Sequence, residues 1–149
     1  MKAPAFVPVL ALFLALSTPC RAAPECAGDI GTLREILGDP AFPLVWRETT
    51  MSDGKPLILS IRERDGALLL TFVKSREGLW AEGTGMICER DSRLEARFAP
   101  GKMVVGPAAH WAMRLALRGA PSFTLVRTGA TSMSIATRGW SGVFSARGD

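Results

Sequence analysis

KPLILSIRERDGALLLTFVKSREGLWAEGTGMICER, Lys55 to Arg90, is the stretch that decides how this chain folds. Two apolar runs meet at Asp65-Gly66. Asp-Gly suits a two-residue hairpin turn, because both central residues of such a turn need positive φ. Leu57, Leu59 and Ile61 alternate before the turn, and Leu68, Leu70 and Phe72 alternate after it. Period-two alternation is the mark of a strand with one buried face. After the polar turn Lys74-Ser75-Arg76-Glu77-Gly78, a third run extends from Leu79 to Cys88. The stretch reads as a three-strand antiparallel meander ending in a cysteine. Gly83 and Gly85 lie inside its last strand, where glycine marks a bulge or bend and lets a sheet curl.

The chain opens differently. Met1-Lys2 is a short positive segment, Phe6 to Leu16 is apolar, and Ser17 to Ala23 is rich in small residues. This order predicts a secretory signal peptide over residues 1–23, with an apolar run too short to span a bilayer. Lipoprotein anchoring at Cys20 is disfavoured, because Pro19 stands where a small residue is needed. Cleavage would remove Lys2 and Arg21, so 18 basic residues become 16 against 14 acidic ones and the net charge falls from +4 to +2. A balance this even, without a dense Lys/Arg block, gives no ground for a nucleic-acid partner. Cleavage would also leave two cysteines, Cys26 and Cys88. In an oxidising compartment an isolated pair forms one disulfide. The expected location is therefore periplasmic or extracellular.

About 126 residues follow the signal segment, enough for a single domain over 24–149. Residues 27–38 read as a short helix, with Asp29 as N-cap, an apolar stripe of Ile30, Leu33, Ile36 and Leu37, and Gly38 at the end. A strand carrying Trp46 is expected over 44–51. Downstream of the meander, Leu94, Ala96 and Phe98 alternate, and Pro100-Gly101 leads into Met103 to Val105. Residues 122–127, 133–137 and 140–146 read as short strands between turn signals. Residues 106–119 satisfy two periods at once. His110, Arg114 and Arg118 follow helical spacing, yet Trp111, Met113, Leu115 and Leu117 alternate as in a strand. The alanines, Pro107 and Gly119 favour a helix over 107–118. The sum is a mainly β fold: a small antiparallel barrel or sandwich of about eight strands with one or two helices.

Few residues point to chemistry. The chain has one histidine, His110, and no tyrosine. No serine stands in a G-x-S-x-G turn, and there is no Walker loop, H-E-x-x-H or C-x-x-C. Glu77 and Glu82 flank Gly78-Leu79-Trp80, but paired carboxylates this close to a polar turn read better as solvated charges than as a glycosidase pair. No enzyme, no metal and no cofactor is therefore expected. Four tryptophans stand out, at 46, 80, 111 and 140. Phe72, Trp80, Trp111 and Trp140 are the residues expected to line a cavity if the barrel holds one. The polar turn Lys74, Ser75, Arg76, Glu77, Gly78, held between two long strands, is the expected partner loop. The sequence thus suggests an exported, non-enzymatic module of the inhibitor or immunity type that acts on another protein. The alternative is a barrel carrying a small apolar ligand or lipid inside.

Overall fold

At the Asp65-Gly66 turn both residues take positive φ, 52° and 74°, as a two-residue hairpin requires. The strands it joins, β3 (Leu57–Arg64) and β4 (Ala67–Lys74), pair without a break from Leu57 opposite Lys74 to Arg64 opposite Ala67. This is seen in a computed structural model that describes residues 25–49, 53–118 and 122–147. The signal segment 1–23 with Cys20, the end of the 44–51 strand and the Gly119 helix stop lie outside the described residues. Seven further strands and two helices are described. In chain order these are β1 (Glu25–Ala27), α1 (Ile30–Leu37), β2 (Val45–Glu48), β5 (Gly78–Arg90), β6 (Arg93–Val105), α2 (Trp111–Ala116), β7 (Ser122–Arg127), β8 (Ser132–Thr137) and β9 (Trp140–Ala146).

Eight of the nine strands close on themselves. The order β5-β4-β3-β2-β9-β8-β7-β6 returns to β5 through a direct β5–β6 pairing, and every neighbour is antiparallel. Closure leaves the ring no free strand edge, which is the structural gain of a barrel. The fold is thus mainly β, a closed antiparallel barrel with two short helices.

The seam between β5 and β6 depends on the two glycines. Gly83 pairs with Met103, yet Gly85 pairs with Phe98, so β6 spends the four residues 99–102 opposite Thr84 alone. At Gly85 the strands come so close that a Cβ would lie 1.9 Å from the Arg97 carbonyl oxygen. The bend expected there is present. Beyond it β5 outruns β4, and β1 takes over that edge, with Cys26 directly opposite Cys88. The two form the expected disulfide, 62 residues apart in sequence.

Aromatic rings cluster in the interior among buried Leu, Ile and Ala side chains. Phe72 stacks on Phe123 with centroids 4.9 Å apart, and Trp80 and Phe98 meet these rings edge-on at 5.7 Å. Trp80 continues to Trp140 at 5.3 Å and Trp140 to Phe144 at 6.2 Å. Tilted and edge-on arrangements suit the ring quadrupole. Each helix covers one end. At the first end, α1 turns Leu33 inward, and Asp39 pairs with Arg127, whose guanidinium lies over Phe42. Asp29 caps α1 by accepting from the Thr32 amide at 2.8 Å, and Gly38 stops it at φ 59°. Asp29→Ala should lower the thermal midpoint measurably but far less than loss of the disulfide, with the change confined to hydrogen exchange of α1.

At the second end α2 resolves the mixed periodicity as a helix, but a shorter one than 107–118. Pro107 is not its first residue. The Gly106 amide still donates to the Trp80 carbonyl at 2.9 Å and the Ala108 amide to Leu79 at 3.2 Å. The chain is therefore held against β5 until His110, which becomes the N-cap. Leu117, just past the helix, is buried and seals this end.

Candidate functional site

The α2 end carries a cleft of about 360 Å³, and it begins with the phase of β2. Alternation along Val45-Trp46-Arg47-Glu48 turns Trp46 and Glu48 to the same inner face. Trp46 is in the apolar core, but β2 ends one rung later. Glu48 therefore arrives at the mouth of the barrel as a carboxylate only 8% exposed. One of its oxygens accepts from the Leu57 amide at 3.0 Å. The other approaches Gly142, 3.1 Å from where a Cβ would lie, and the Trp140 ring edge approaches the same point at 3.0 Å. A side chain here would crowd both, and a neighbour would have to give by a few tenths of an ångström.

Trp80 and Trp140 form the aromatic wall, and Ala108, His110 and Met113 come from the α2 segment. The His110 imidazole is engaged in capping, with Nδ1 accepting from the Ala112 amide at 3.4 Å. Ser141 completes the rim. On the opposite side Asp53 accepts from the Lys55 amide at 3.0 Å and pairs with Lys74 at 2.7 Å. The hydrogen bond from Lys74, then that from the Lys55 amide, hold the Asp53 carboxyl below its usual range. Glu77 in turn holds Lys55 at 2.6 Å and pushes its ammonium pKa up.

A lowered Asp53 pKa fixes the sign of a pH effect. The latch to Lys74 is complete above the ordinary Asp value of 3.8 and is lost only as pH falls through the lower folded value. Titration of the Asp53 carboxyl carbon by NMR should show a midpoint below 3.8, and Lys74→Met should raise it toward that value.

The residues singled out in the sequence fall into three places. The turn 74–78 borders the cleft. Lys74 lines it, the Ser75 amide donates to the Pro56 carbonyl at 3.0 Å, and Arg76 stands exposed at φ 66°. Glu77 is tied to Lys55, and Gly78 starts β5 at φ 97°. Trp80 and Trp140 meet in the cleft. Phe72 is deep in the packed interior, and Trp111 is 67% exposed on α2, outside the cleft lining. Glu82 is remote from Glu77, on the outer wall, where it accepts from the Thr71 hydroxyl. Glu48, Asp53 and Ser141 are cleft residues that the sequence did not single out. For Glu48 a signal existed, since it is in phase with Trp46 two residues earlier.

A larger hollow, about 690 Å³, lies on the outer wall between the Asp65-Gly66 turn, the β5 bend and the 99–102 excursion. Among its polar side chains, Glu82 is shared between Thr71 and Arg64. Chemistry is concentrated instead at the α2 end. Among the described residues no group of three or more His, Cys, Asp or Glu is placed to hold a metal ion.

Fold and site together define a small closed barrel, stapled by one disulfide, with a mixed aromatic and acidic cleft at one end. Comparison with protein-family models, with curated proteins and with solved structures finds no match for the chain.

Proposed function

We propose that this is an exported, non-enzymatic binding module of the inhibitor or immunity type, acting on another protein through its α2 end. The observation that carries the reading is the turn 74–78. It is tied on both flanks to one neighbouring loop, Lys74 to Asp53 and Glu77 to Lys55, while Arg76 stands exposed between them. These pairs are solvent-exposed and contribute little stability. Their effect is positional, since a loop held in one shape loses less entropy when a partner docks. Trp111 and Leu115, both more than half exposed on α2, add apolar anchors at the same end. The disulfide fits an oxidising compartment. Among the described residues no helix is long and apolar enough to cross a membrane. The alternative, an apolar ligand inside the barrel, has less support, because stacked rings occupy the space it would need.

The test is capture from an envelope extract by immobilised, oxidised protein. A specific partner should be retained by the wild type and by the side-wall variant Met86→Lys. It should be lost with Arg76→Glu or Trp111→Ala. Capture indifferent to these rim changes, or no specific capture at all, rejects the reading.

A further inference from the structure

We propose that the cleft at the α2 end is a binding site for a compact organic cation, a guanidinium or alkylammonium group, received between Glu48 and the indoles of Trp80 and Trp140. This deepens the reading of the α2 end as the working surface, and rests on it for the source of the cation, an arginine or lysine side chain of the partner.

Glu48 is more than nine-tenths buried and, among the described residues, has no cationic partner. Lys74, the lysine of the cleft lining, is committed to Asp53 at 2.7 Å, so that pair is neutral as a unit. Glu48 is left as the uncompensated charge. A carboxylate drawn from water without a counter-ion is costly, and the cost is relieved when a cation arrives. The Leu57 amide holds one Glu48 oxygen and so fixes the direction of the other, beside Trp140.

The walls agree with the charge. Indole faces attract cations, most strongly where the site is partly desolvated. Trp80 and Trp140 both line the cleft and pack on each other, with centroids 5.3 Å apart and planes inclined at 48°, so they form one angled aromatic wall beside Glu48. An anion would meet Glu48 unfavourably, and a neutral sugar would stack but leave the charge uncompensated. A planar guanidinium satisfies both demands, stacking on a ring while donating to a carboxylate.

The experiment follows the four indole N–H signals of ¹⁵N-labelled, oxidised protein during titration with N-acetyl-arginine-N-methylamide. The uncharged citrulline counterpart and methylguanidinium serve as parallel probes. Saturable shifts are expected at Trp80 and Trp140, with Trp111 unmoved, and the citrulline probe should bind at least about tenfold more weakly. Glu48→Gln, which keeps an acceptor for the Leu57 amide, should weaken arginine binding by a similar factor. If that variant loses the native spectrum, Trp140→Leu decides, and the same loss is expected. Equal binding of arginine and citrulline, or full affinity in a natively folded Glu48→Gln, overturns the proposal. Tighter binding of the arginine derivative than of methylguanidinium indicates a peptide-borne side chain, and equal binding a free small cation. Cation binding without rim-dependent protein capture removes the partner reading and leaves the cleft chemistry standing. Rim-dependent capture without cation binding does the reverse.

Discussion

Cys88→Ser should lower the melting temperature in oxidising buffer by on the order of 10 °C, the largest shift expected from one side chain outside the barrel core. The bond closes 62 residues of sequence, which in the chain-entropy model amounts to roughly 4 kcal/mol. The loss should begin locally. β1 has three residues and, among the described residues, pairs only with β5 next to the disulfide, and α1 follows directly from it. Hydrogen exchange in residues 25–37 should therefore accelerate before the barrel strands open. Reduced wild-type protein should match the variant. An unchanged midpoint, with both thiols reactive in the native wild type, would contradict the bond.

The second large effect is expected at the seam. Gly85→Ala places a methyl group 1.9 Å from the Arg97 carbonyl oxygen, a backbone atom that cannot rotate away. β5 and β6 must separate there, and closure of the ring depends on that pairing. A loss of about 3 kcal/mol or more in urea unfolding is expected, at the upper end of overpacking effects. Gly28→Ala is the control. Its new Cβ would meet only the Gly66 carbonyl at an ordinary 3.6 Å, and a change within about 0.5 kcal/mol is expected. If the two variants unfold alike, the close approach at the seam is not what holds the barrel shut.

What was legible in the sequence was what local chemistry decides. Asp65-Gly66 fixes a hairpin by its own φ requirements, Asp29 and Gly38 bracket a helix, and two-residue alternation lays out strands. The bend could be read because glycine is unusual inside a strand. β1 could not. Three residues, Glu25–Ala27, have no periodicity to show, and they become a strand only because Cys88 lies opposite. The start of α2 was misread for a related reason. Pro107 suits a first helical position, but amides 106 and 108 are already held by β5. The tryptophans looked alike in sequence, yet Trp111 faces out from a helix while Trp80 and Trp140 face each other across strands distant in sequence. The cleft itself is assembled from five separate segments. Lys74, Trp80 and Trp140 could be singled out one by one, and the inward phase of Glu48 was visible, but their meeting was not.

The central claim is that the interior is structural and the α2 end is the working surface. A photo-activatable phenylalanine analogue at Arg76, and separately at Met86 on the side wall, tests this most directly in intact cells of the native host. One discrete crosslinked protein is expected from position 76, abolished by Lys74→Glu, and none from position 86. Crosslinks from position 86 alone, or equal yields from both positions, would contradict it.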